Sequence, residues 1–78
     1  MLNPEELNEI ADKTYLDELC KDMLADIEYI EKKFNTRLVG DRFDLENGPH
    51  HKMVGKATKA QLYFIFSQWR SNLFQKYK

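Results

Sequence analysis

Leu16, Cys20, Met23, Ile27, Ile30 and Phe34 follow one another at spacings of 4, 3, 4, 3 and 4 residues. That pattern holds one apolar seam on one face of an α-helix for about five turns. A strand does not fit it, because successive strand residues face opposite sides. Extended backwards, the seam would pass through Lys13, Glu9 and Glu6, whereas the apolar residues there are Leu7, Ile10 and Ala11, rotated by about 100°. A break near Thr14 is therefore expected, with Thr14 and the following Asp17 as a new cap. Asp17 and Glu18 at the start and Lys32 and Lys33 at the end suit the helix dipole. Upstream, Asn3 can cap a first turn, Pro4 suits the first helical position, and Glu6 stands where a capping-box carboxylate reaches back. The sequence predicts helices over 4–12 and 15–34.

A further helix is announced by Thr58-Lys59-Ala60-Gln61, a capping box, and continues without Gly or Pro. Its apolar side is Leu62, Ile65, Phe66, Trp69, Leu73 and Tyr77, widened by Tyr63 and Phe74 to about half the circumference. Such a face should touch two neighbours. Between the long helices, 35–57 is too long for a structureless loop in a small domain. Arg37-Leu38-Val39 and Phe43-Asp44-Leu45 are expected as short paired strands, with Asn47-Gly48-Pro49 as a turn. The fold class predicted is all-α: one domain, 1–78, a small three-helix bundle with an irregular or hairpin-containing connection at 35–57. The heptad-like helix is expected to pack antiparallel to the last one.

Charge divides the chain sharply. All 13 acidic residues lie in 1–46 beside six basic ones, whereas 47–78 holds six bases and no acid, so a formal net charge of -1 joins two opposed halves. At 78 residues, roughly 60% of the unfolded surface can be buried, which leaves no room for a multi-step enzyme with a cofactor domain. With Cys20 as the single cysteine, neither an intrachain disulfide nor a Cys-based zinc site is expected, and its place in the apolar seam suggests a buried, inert thiol. An intracellular, cytoplasmic setting is expected, since the first residues are acidic where a signal peptide is basic and no apolar run could span a bilayer. Nine Lys against three Arg would also suit an AT-rich genome such as a phage's.

Three constellations bear on function. Lys52, Lys56 and Lys59, preceded by His50 and His51, lead into a helix whose first turn has no acid, a place where backbone amides and dipole favour an anion. Gly55-Lys56-Ala57-Thr58 is not a Walker loop, because Ala57 stands where Ser or Thr is required and His50 where a glycine is. The outer face of the last helix carries Ser67, Gln68, Ser71, Asn72 and Gln75, uncharged where solvated helices usually carry Glu and Lys, with Phe64 alone among them. Neutral amides and hydroxyls read base edges or pack against a partner, and Arg70, Lys76 and Lys78 at the margins could meet phosphates. Third, Glu18, Asp22 and Asp26 form an acidic stripe at i, i+4, i+8, solvated, facing the basic half within the fold or in a second subunit, or serving as a weak DNA-mimicking surface for a basic partner.

Metal binding by His50-His51 is not expected, because adjacent loop residues seldom chelate one ion and no cysteine or acidic motif of known ligand spacing completes the site. No cofactor and no catalytic residue are predicted. The first functional expectation is a small non-enzymatic accessory protein binding nucleic acid, or a nucleic-acid-processing protein, through Lys52, Lys56, Lys59, Arg70, Lys76, Lys78 and the Phe64–Gln75 face. The second is a protein-interaction module or inhibitor, in the simplest case a homodimer, in which the basic half only complements the acidic one.

Overall fold

The computed structural model describes residues 3–77. Its elements in chain order are α1 (Pro4–Leu7), α2 (Lys13–Phe34), α3 (Val39–Asn47), a 3-10 helix over Pro49–Met53, and α4 (Lys59–Lys76). The fold is all-α, a small helical bundle.

The N-terminal helix is shorter than the sequence predicts. Asn3 caps it, its side chain accepting from Glu5 N at 2.9 Å, but the helix stops at Leu7 because the next backbone groups are used elsewhere. Lys59 N donates to the Glu9 carbonyl, Ala11 N to the Ala57 carbonyl, and Gly55 N to the Ala11 carbonyl, at 2.8 to 2.9 Å. Ile10 and Thr58 form an isolated antiparallel bridge. The break expected near Thr14 exists two residues earlier, where the Asp12 carboxylate, not Thr14, accepts from Tyr15 N at 2.8 Å and starts α2. α2 ends at Asn35 in the left-handed region, φ 48°, a conformation that Asn tolerates better than most residues.

No hairpin forms in the connection. Phe43 and Leu45, expected in a strand, belong to α3, and Leu38 lies immediately before it. Three-residue strands would leave most of their backbone groups unpaired. A carboxylate from α2 favours the helix instead: Glu31 accepts from Leu38 N at 3.0 Å and from the Arg42 guanidinium at 2.9 Å. Leu38 and Leu45, seven residues and thus two turns apart, are both buried. Asn47-Gly48-Pro49 does turn the chain, but from α3 into the 3-10 helix. Gly48 is required there, because a Cβ would collide with the Asp44 carbonyl oxygen and lie 2.9 Å from His50 Cε1.

α2 and α4 pack in parallel, not antiparallel. Tyr15 Oη donates to the Lys59 carbonyl at 3.4 Å, Asp26 meets Arg70, and the Phe34 ring meets Tyr77, so that the offset between partners stays near 44 residues along the pair. The reason is that α3 and the 3-10 helix together return the chain: Glu31 lies against Leu38 and Arg42 while Cys20 lies against Leu45, the sign of an antiparallel neighbour. The core between them holds Leu16, Leu19, Ile27, Ile30, Leu38, Leu45, Leu62, Phe66 and Leu73. The α2 seam is thus correct at Leu16, Ile27 and Ile30, with Cys20 and Met23 partly buried, while Phe34 at its end is 39% exposed. On α4, Trp69 and Tyr77 only flank the core and Ile65 is exposed.

Candidate functional site

The charge halves meet each other within one chain, through partly exposed ion pairs at its surface. Arg70 Nε donates to Asp26 at 2.7 Å, Lys59 Nζ to Glu9 at 3.0 Å, and Lys76 Nζ lies 3.8 Å from Asp41. Three of the basic residues predicted to meet phosphates therefore already have carboxylate partners. Lys52 and Lys56 are exposed on and just after the 3-10 helix, and among the described residues they form no ion pair. Lys78 lies outside the described residues.

The anion cradle expected at the start of α4 is partly taken up by the chain itself. The predicted capping box is present, with Gln61 N donating to Thr58 Oγ1 and Thr58 N to Gln61 Oε1. Lys59 N is taken by the Glu9 carbonyl, and the Glu9 carboxylate stands beside the helix start, holding Lys59 more basic than usual through their hydrogen bond. Two of the first-turn donors, Lys59 N and Gln61 N, are occupied, and an acid is already present.

The outer face of α4 is open, as the sequence predicts. Phe64 is 62% exposed, and Gln68, Ser71 and Gln75 are exposed beside it. Phe64, Ser67, Gln68, Ser71 and Asn72 line a shallow hollow, and a second lies next to it between Ser67, Ser71, Phe74 and Gln75. The serines make these hollows, since their short side chains leave space one helical turn from a protruding ring. Arg70 borders the face with its guanidinium stacked 4.8 Å from the Phe74 ring, its charge held by Asp26. The face therefore presents one aromatic knob, two small-residue hollows and no uncompensated charge.

A second cluster was not expected from the sequence. Pro49 has no N–H, so the Leu45 carbonyl four residues earlier has no helical donor. Side chains from two other elements converge on it instead: His50 Nε2 at 2.7 Å, His51 Nε2 at 3.3 Å and Cys20 Sγ at 3.3 Å. His50 is buried, 4.8 Å edge-on to the Phe66 ring and 4.8 Å from the His51 ring. Cys20 is half-buried, not fully sequestered in the seam. Burial pushes its thiol up to about 11, with the carboxylates of Asp17 and Glu46 acting in the same direction. Burial also lowers His50, against the opposing effect of its hydrogen bond to Leu45. The sequence separates Cys20 from the histidines by a whole helix. The one signal that could have joined them is Pro49 freeing a helix-end carbonyl beside two donors.

No protein-family model, curated protein or solved structure matches the chain. Among the described residues, no helix is long and apolar enough to cross a membrane.

Proposed function

We propose that the protein is a non-enzymatic protein-interaction module whose outer α4 face docks a second copy of the same chain. The observation that supports this reading is the pairing of knob and hollow on one uncharged face, Phe64 protruding beside the Ser67–Ser71 hollow. A two-fold dimer requires one patch to be complementary to itself. With two α4 helices antiparallel, each Phe64 enters the other's hollow. Aromatic anchors surrounded by neutral polar residues suit a protein interface, where charge is depleted at the centre. Arg70 and Lys76 do not oppose the approach, because Asp26 and Asp41 hold their charges. A single helix pair buries less than the roughly 1,200 Å² typical of stable complexes, so the dimer is a weak one.

The same ion pairs remove much of the support that the acid-free half lends to nucleic-acid binding. Sedimentation across a concentration series is the test: the parent chain should shift from monomer to dimer, and Phe64→Ala and Ser71→Arg should each leave a folded monomer. A parent chain that stays monomeric at the highest soluble concentration overturns the dimer. Salt-dependent polarisation of labelled duplex DNA by that monomer would favour the nucleic-acid reading instead.

A further inference from the structure

We propose that Cys20, His50 and His51 form a zinc site that ties α2 to the end of α3 and the 3-10 helix. The ligand-type atoms of the three residues lie within 4.8 Å of one another, and one thiolate with two imidazoles is a donor set that suits zinc.

The Leu45 carbonyl oxygen supplies the fourth vertex. It stands 2.7, 3.3 and 3.3 Å from the two Nε2 atoms and Sγ. A tetrahedral ion with Zn–N near 2.0 Å and Zn–S near 2.3 Å has edges of roughly 3.3 to 3.6 Å. Closing the shell takes a contraction of roughly 1.2 to 1.5 Å at the widest pair and an opening of about 0.6 Å between His50 Nε2 and the Leu45 oxygen. Without an ion the arrangement is over-subscribed, since a carbonyl oxygen has two lone pairs and three donors converge on it. An ion at the centre turns the ligand lone pairs inward and resolves that excess.

The surroundings favour a cation. Leu45 is in the last turn of α3, at the negative end of the helix dipole. Asp17 and Glu46 act electrostatically on Cys20, and Asp44 on His50. On binding, Sγ loses one proton to solvent, both imidazoles remain neutral but change tautomer, their protons passing through solvent from Nε2 to Nδ1, and the single thiolate and nearby carboxylates balance the divalent charge. His51 is exposed, which gives the ion a way in. Because the ligands come from separate elements, the ion would stabilise the return path that sets α2 and α4 parallel.

The untagged full chain, kept reduced and titrated with Co²⁺ and then Zn²⁺, provides the test. One equivalent of cobalt should produce a thiolate-to-metal charge-transfer band and the visible absorption of a four-coordinate ion, both abolished by zinc. Zinc at about a hundredfold excess over its Kd should raise Tm by roughly 15 °C. Cys20→Ser should remove the charge-transfer band. His51→Ala, at an exposed position that leaves the fold intact by circular dichroism, should weaken zinc binding by more than the roughly 100-fold that losing an outer-shell partner costs. Absence of the band in folded parent protein, or parent-like zinc affinity in His51→Ala, overturns the site.

Discussion

Arg70 on α4 donates to Asp26 on α2 at 2.7 Å, with the guanidinium about half exposed. This contact joins the basic half of the chain to the acidic half at mid-helix, and with Lys59–Glu9 and Lys76–Asp41 it accounts for much of the charge division seen in the sequence. Such partly exposed pairs are each worth about 0.2–1 kcal/mol. Their consequence for partners is larger than for stability. Replacing Asp26, Glu9 and Asp41 together by their amides should leave the fold intact and free three cations. Duplex-DNA retention at low salt should then rise, with a log K against log salt slope steeper by about 0.9 per cation that finds a phosphate. Unchanged retention in polarisation assays would mean that these pairs do not restrain the basic half.

Glu31 gives the fold an acid limit. Its carboxylate lies below the usual carboxylate range, chiefly because the Leu38 amide donates to it, with Arg42 adding to the effect. A group whose folded pKa is depressed contributes stability above its unfolded value of about 4.3 and loses that contribution as pH falls through the folded value. Glu31→Gln should therefore flatten the acid limb of a urea-midpoint-against-pH curve, and the two proteins should converge below that limb. An unchanged limb would place the acid sensitivity elsewhere.

Gly48→Ala tests the corner that brings His50 under α3. The added methyl meets the Asp44 carbonyl and the His50 ring, both held by packing, and relief requires backbone movement costing about 1–3 kcal/mol. The loss should appear in urea denaturation, together with a change in the His50 ring resonances. Gly40→Ala, with nothing within 4 Å of its Cβ position and a helical setting, should not destabilise and serves as the control.

Ile27 and Phe34 belong to one sequence seam but end in different surroundings, fully buried and 39% exposed. Ile27→Ala should cost about 2–5 kcal/mol, a large share of what a chain of this length has available. Phe34→Ala removes an aromatic pairing with Tyr77, ring centroids 6.1 Å apart, and only part of a full side-chain burial, and should cost less, about 1–2 kcal/mol. Equal losses by thermal or chemical denaturation would mean that the seam, not burial, sets the energetics.

Features that depend on near neighbours in the chain are legible in the sequence. The apolar spacing from Leu16 to Ile30 specifies a helix and its buried face, and Thr58 with Gln61 specifies where the last helix begins, because capping and periodicity act over three or four residues. Features that depend on groups far apart in the chain emerge only once the helices pack. Phe43–Leu45 is helical partly because Glu31, from another helix, accepts the Leu38 amide. Ile10 and Ala11 leave the first helix because their segment's backbone pairs with the chain before α4. The parallel arrangement of α2 and α4 follows from that unforeseen α3, which returns the chain between them. Cys20 meets His50 and His51 only because Pro49 leaves the Leu45 carbonyl without a helical donor while α2 packs close enough to share it. Hydrogen-bond satisfaction across the fold overrode local preference at each of these places, and a count of charges could not foresee that Asp26 and Arg70 would find each other.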